Sequence, residues 1–152
     1  MNGVQIQRIN QDGHSSCQNC GQHNNHATEP GTVASHFLAE YYRNTSNIGW
    51  NAVQYLFDQN CTVICRDRNL GNAHDLLNAL SAEYIKRANY GDIRTKWVVI
   101  NSNSMLINVF GHIQFVGFTG SLSNIHSFSE TFILTANNNG AIRCTHHMFD
   151  FH

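Results

Sequence analysis

From residue 105 to 117 the odd positions Met105, Ile107, Val109, Ile113 and Phe115 are apolar, and Asn108, His112 and Gln114 interleave with them. A period of two held over that length requires an extended strand with one buried face, because successive side chains leave a strand on opposite sides. The surrounding text repeats the message. Phe128-Ser-Glu-Thr-Phe132-Ile-Leu-Thr-Ala136 follows, then an Asn-Asn-Asn-Gly turn ending at Gly140, then His146-His-Met-Phe149. Four strands are therefore expected over 92–101, 105–117, 127–136 and 141–151. Phe110 and Val116 make the even face of 105–117 only half polar, which points to a cover such as a second subunit. Phe110, His112, Gln114 and Val116 are the expected dimer face.

At 152 residues the chain suits one domain and can bury a core without disulfides or metal. Only 12% of residues are charged and the net charge is −1, with no basic cluster, so direct nucleic-acid binding by phosphate neutralisation is not expected. No apolar stretch approaches the roughly 20 residues of a membrane span, and the start lacks the basic and apolar regions of a signal peptide. A soluble protein of cytoplasm or nucleus, without membrane contact, is the expectation. Cys61, Cys65 and Cys144 sit in strand-like runs, where reduced cysteine behaves as a small buried hydrophobe.

Residues 1–31 are polar, rich in Asn, Gln, His and Gly, and close on the sole proline, Pro30, so they read as an arm ahead of a domain over 32–152. Within the arm, Cys17-x-x-Cys20-x-x-His23-x-x-His26 sets four zinc-competent ligands in one short loop. Structural fingers separate their ligand pairs by a dozen residues or so, so a His-rich arm without a specific site is the competing reading. No other cofactor is called for.

In the domain, Val33, Phe37, Leu38, Tyr41 and Tyr42 recur at helical spacing, predicting a helix over 33–44 capped by Thr32 and broken at Asn44-Thr-Ser-Asn47. Trp50, Val53, Leu56 and Phe57 suggest a second helical stripe. Cys61–Cys65 reads as a short strand, and Arg66–Gly71 as a turn leading into another. Leu76, Leu77, Leu80, Tyr84 and Ile85 extend a third and longest helix over 73–90, with Lys86 and Arg87 placed to complement its dipole. Helices followed by four antiparallel strands give an α+β chain with helices on one face of a curved sheet.

Over about 33–151 the chain resembles the nuclear transport factor 2-like superfamily, whose fold is cone-shaped. The resemblance rests on Phe37-Leu-Ala-Glu-Tyr41-Tyr42, Leu56-Phe57, Gly71, Phe128-x-x-x-Phe132-Ile-Leu and Met148-Phe149. Gly111-x-x-x-Phe115-x-Gly117 and Phe132–Ala136 look most like the small mRNA-export cofactor. The first helix and the ending look equally like nuclear transport factor 2 and the stress-granule scaffold domain. The resemblance implies a non-catalytic dimer, homo- or heterodimeric with a related domain, in nucleocytoplasmic transport of mRNA or protein or in ribonucleoprotein scaffolding. It also implies a groove for Phe-containing peptides at Val33, Phe37, Leu56 and Phe149. Ran binding is not expected. The acidic position after the first strand falls on Arg66, and the loop Phe118–Asn124 carries no carboxylate, which removes the charge complementarity that complex uses.

The same superfamily hosts isomerases and dehydratases with an acid or base in the cone, which makes Glu130 and His146 the catalytic candidates in an alternative reading. Glu130 on the sheet surface under a partner is the plainer assignment. A structural subunit of a larger assembly is the third alternative. No HExxH pattern or phosphate-cradling glycine loop supports another enzyme class.

Overall fold

A computed structural model describes residues 29–152. Helix α1 spans Pro30–Asn47, and two 3-10 turns at Trp50–Ala52 and Gln54–Leu56 lead into strand β1, Phe57–Cys65. Strand β2 is Arg68–Asn69, and helix α2 is Ala73–Ala82. Four long strands complete the chain: β3 Ile85–Asn101, β4 Ser104–Gly117, β5 Leu122–Ala136 and β6 Ile142–Phe151. They form one curved, unclosed sheet of order β2-β1-β6-β5-β4-β3, antiparallel except where β1 runs parallel to β6. The α+β cone expected from the sequence is the fold observed.

Helix α1 starts at Pro30, which suits a first helical position because its missing N–H would be unpaired there anyway. It does not break at Asn44. Thr45 Oγ1 donates back to Tyr41 O at 2.9 Å, Tyr90 Oη lies 2.8 Å from the same hydroxyl, and Arg87 donates to Ser46 O, so partners from β3 hold the last turn. The stripe at 50–57 does not become a helix. Gly49 sits at φ 143°, where an added Cβ would lie 2.5 Å from Lys86 O, and the chain takes two short turns instead.

The third expected helix ends at Ala82, eight residues early. Asn72 caps its start by accepting from Asp75 N at 2.9 Å. At its end Tyr84 adopts φ 61° and is largely exposed, so Lys86 and Arg87 belong to β3 and complement no helix dipole. Nothing in 83–90 breaks a helix locally; pairing of Ile85–Tyr90 with the far half of β4 decides the matter.

Curvature is built into β3 and β4. The register slips between Gly91 and Arg94 with Asp92 at φ 52°, and a Cβ on Gly111 would lie 2.8 Å from Gly91 O. Bulges of this kind kink a strand and raise its twist. The concave face packs on α1 and α2 around Phe37, Tyr41, Phe132, Ile107 and Phe149.

Candidate functional site

Residues Phe128, Glu130, Phe132 and Leu134 alternate inward on β5, so Glu130 enters the core among aromatic rings and is 1% exposed. A lone carboxylate there would cost several kcal/mol, on the order of a Born penalty reduced by relaxation. Three donors offset that cost. Tyr41 Oη donates to Oε2 and Tyr42 Oη to Oε1, each at 2.8 Å, and His147 Nε2 lies 2.6 Å from Oε2. Trp50 Nε1 donates to Tyr41 Oη at 3.1 Å, so the chain of bonds runs in one direction, towards the carboxylate. Helix α1 supplies both phenols from adjacent residues, Tyr41 and Tyr42.

The His147 ring is stacked on Phe132 at 4.8 Å with an interplanar angle of 7°. Its Nδ1 is buried without a hydrogen-bond partner among the described residues. Facing a carboxylate oxygen, which only accepts, Nε2 is the donor of this contact. Burial, and secondly the charge of Glu130, push the phenols of Tyr41, Tyr42 and Tyr90 well above the ordinary tyrosine range, which keeps them neutral donors. Burial likewise raises Cys65 to about 11 and pushes Cys144 well above its ordinary range, the latter with help from Cys61. These thiols are weak nucleophiles.

The catalytic candidates of the sequence need one correction. Glu130 faces inward rather than lying on the outer sheet surface, and its imidazole partner is His147, whereas His146 is exposed. Strand β6 pairs Cys144 with Leu134 but His146 with Ile133, leaving Thr145 as an extra residue. This bulge breaks the parity: Cys144 points in, and after it His147 and Phe149 do. Met148 is 49% exposed, on the outer face. A carboxylate, an imidazole and two phenols could exchange protons, but all four side chains are closed off from solvent.

The four expected peptide-groove residues divide. Phe37 packs edge-on against Phe132 at 5.1 Å, and Phe149 lies beside Trp50 and Phe115, so both are core. Val33 and Leu56 are partly buried against the same core. Of the expected dimer face, Phe110 is 44% exposed, His112 is exposed and Gln114 half-buried, while Val116 is buried and has little to offer a partner. His112 Nδ1 also lies 3.0 Å from Asp92 Oδ2. Arg66 stands over the Phe151 ring at 4.9 Å, occupied within the fold. The zinc candidates Cys17, Cys20, His23 and His26 lie outside the described residues, and among the described residues no cluster could hold a metal.

The strand registers carry the outer face further than the sequence did. Phe110 lies beside Arg94 and Ser129, Met148 beside Thr131 and Ile64, and Leu106 beside Val98 and Ile133. Together they form an apolar band crossing five strands on the side away from the helices. Val98, Phe110 and Met148 are its most exposed members.

Comparison with known proteins agrees with this architecture. In structure the chain is similar to nuclear transport factor 2 from Cryptosporidium parvum, at 13% identity and TM-score 0.58, covering 79% of this chain and 92% of that one. It is similar to the yeast UBP3-associated protein BRE5, at 18% identity and TM-score 0.57, covering 80% and 95%. A ketosteroid isomerase-like protein from Erwinia carotovora is also similar, at 14% identity and TM-score 0.60, covering 84% and 97%. At such identities the likeness is one of fold, and the fold houses enzymes as well as non-enzymes. No curated protein matches the sequence significantly. The model of the nuclear transport factor 2 (NTF2) domain matches residues 33–151, and the chain belongs to that family.

Proposed function

We propose that this chain is a non-catalytic protein-binding module that pairs through the outer face of its sheet, with a second copy or a related domain. The observation that supports it is the apolar band across β1, β6, β5, β4 and β3, opposite a fully packed inner face. Burying such residues stabilises a complex by about 25 cal/mol per Å2 before the costs of association. Its place in transport of mRNA or protein, or in ribonucleoprotein scaffolding, rests on family membership alone. Phe-containing peptides would meet Val33 and Leu56 at the core's margin, since Phe37 and Phe149 lie beneath. Neither nucleic acid nor membrane is a proposed partner, and Ran lacks its acidic contacts here. The test is affinity capture by the full chain, with Phe110→Glu and Met148→Glu as variants. Loss of the captured protein at unchanged melting temperature supports the reading, and capture indifferent to both variants contradicts it.

A second reading, proton transfer by Glu130 and His147, is favoured by their 2.6 Å contact in the interior. It requires an opening to Tyr41, Tyr42, His147 and Glu130, each at most 1% exposed. Turnover of any small carbonyl or hydroxy compound, abolished by Glu130→Gln in a folded protein, would move the assignment to this reading.

A further inference from the structure

We infer that residues 4–9 of this same chain, Val-Gln-Ile-Gln-Arg-Ile, add a strand to the sheet along the free edge of β3, over residues 94–99. The added strand is independent of pairing through the outer face. Strand β3 closes one side of the sheet and pairs with β4 alone. In an antiparallel pair alternate residues turn their N–H and C=O away from the partner, so an edge strand presents a row of backbone groups that a further extended chain can complete.

The two halves of β3 manage that edge differently. In the first half the register slips between Gly91 and Arg94, Asp92 takes φ 52°, and the last turn of α1 is tied to Tyr90 and Arg87. From Arg94 to Val99 the ladder is regular, with no proline, glycine or bulge to blunt it. Thr95, Trp97, Val98 and Val99 are the β-branched and aromatic residues that favour a strand. Val98, Val99 and Ile100 are 46%, 41% and 50% exposed, and three successive apolar residues leave both faces of the strand uncovered there. Thr95 is 5% exposed, and its Oγ1 has no hydrogen-bond partner among the described residues.

The connectivity of the chain supplies the occupant. The first turn of α1 lies against this stretch, since a Cβ on Gly31 would stand 3.4 Å from Trp97 Cζ2. Residues 1–28 therefore join the fold at Glu29, beside the edge itself. Val4, Ile6 and Ile9 are the branched aliphatic residues of that arm, and Val4 and Ile6 alternate with Gln5 and Gln7 as a strand requires. With Val4 and Ile6 on the side of Val98, Gln5 and Gln7 fall on the side of Thr95, where a side-chain amide can donate to the Thr95 hydroxyl. Residues 4–9 match residues 94–99 in length, about 20 Å at 3.3 Å per residue. A chain as long as residues 10–28 spans roughly 20–25 Å, enough to return to Glu29.

Amide hydrogen exchange of the full chain, read residue by residue, tests this against Ile6→Pro, a substitution outside the packed domain whose fold is checked by a thermal melt. In the parent, amides within residues 4–9 and every second amide over 94–99 should exchange at least about tenfold more slowly than in an open chain. In the variant both sets should lose that protection, while the amides of β3 bonded to β4 keep theirs. If the parent's residues 4–9 exchange as an open chain does, or if Ile6→Pro leaves the β3 edge unchanged, the inference is wrong. Protection of residues 4–9 that disappears on dilution would assign the edge to the arm of another copy and overturn the same-chain occupant.

Discussion

Glu130 shows how a single buried charge can be held by geometry rather than by an opposite charge. Its three donors come from two elements far apart in sequence, and each donor is itself fixed: Tyr41 by Trp50, Tyr42 by its edge-on contact with Tyr90, His147 by stacking on Phe132. Glu130→Ala should cost about 3–5 kcal/mol, because it leaves three buried donors unpaired, and chemical denaturation would measure it. A cost below about 1 kcal/mol would show that the network is not a keystone of the core. The tyrosines make a second prediction. Their folded-state pKa values lie above the unfolded value of 10, so their contribution is complete below about pH 10 and is lost as the unfolded chain ionises above it. Stability should therefore fall as pH rises through about 9 to 10 and above, the raised thiols of Cys65 and Cys144 adding to the three phenols, and Tyr90→Phe should reduce the slope above pH 10 by about one proton. Urea unfolding at several alkaline pH values reads the slope directly. The sequence announced Glu130 as an inward candidate by its place between Phe128 and Phe132. It hid the phenols, because Tyr41 and Tyr42 satisfy a helix's apolar stripe as well as any leucine.

At the scale of elements, a bulge chose the imidazole. Strict alternation through Ile142, Cys144, His146 and Met148 would send His146 inward; the unpaired Thr145 sends His147 instead. A strand's parity is legible from sequence only while its register is regular, and an extra residue leaves no mark in composition. Deleting Thr145 should give a regular ladder with Cys144 still opposite Leu134 and His147 still opposite Phe132. The deletion is expected to cost ~2 kcal/mol or less, mainly through the lost bonds of Thr145 to Ile133 O and to Thr135, and a thermal melt would check it. Failure of the variant to fold would show that the bulge sets the sheet's curvature as well as its parity. The strands from 104 onward were readable because one face is core throughout. The segment 83–90 was not, because its helical spacing is locally sound and only pairing with β4 overrides it. The same limit applies to the groove: Phe37 and Phe149 carry an apolar pattern that sequence cannot divide into core and surface, and packing assigns both to the core.

For the whole molecule, the inner face is complete within one chain and the outer face is not. Packing encloses Glu130, and the proposed binding surface is the band through Val98, Phe110 and Met148. The sequence signalled this band through Phe110, because Val116, the other residue it pointed to on that face, proved buried. Its continuation onto β3, β5 and β6 needed the registers. The arm adds a separate expectation, that Cys17, Cys20, His23 and His26 hold one zinc ion per chain, lost in the Cys17→Ser/Cys20→Ser variant. Elemental analysis of the purified chain decides it, and a parent without stoichiometric metal ends the proposal. Pairing through the sheet is tested most directly by the solution mass of the full chain across a wide range of concentration. Twice the 17.1 kDa chain mass, falling to the monomer only on dilution, is the expected result. A chain that stays monomeric and soluble at the highest concentrations, with the band open to solvent and no protein partner captured on it, would contradict it.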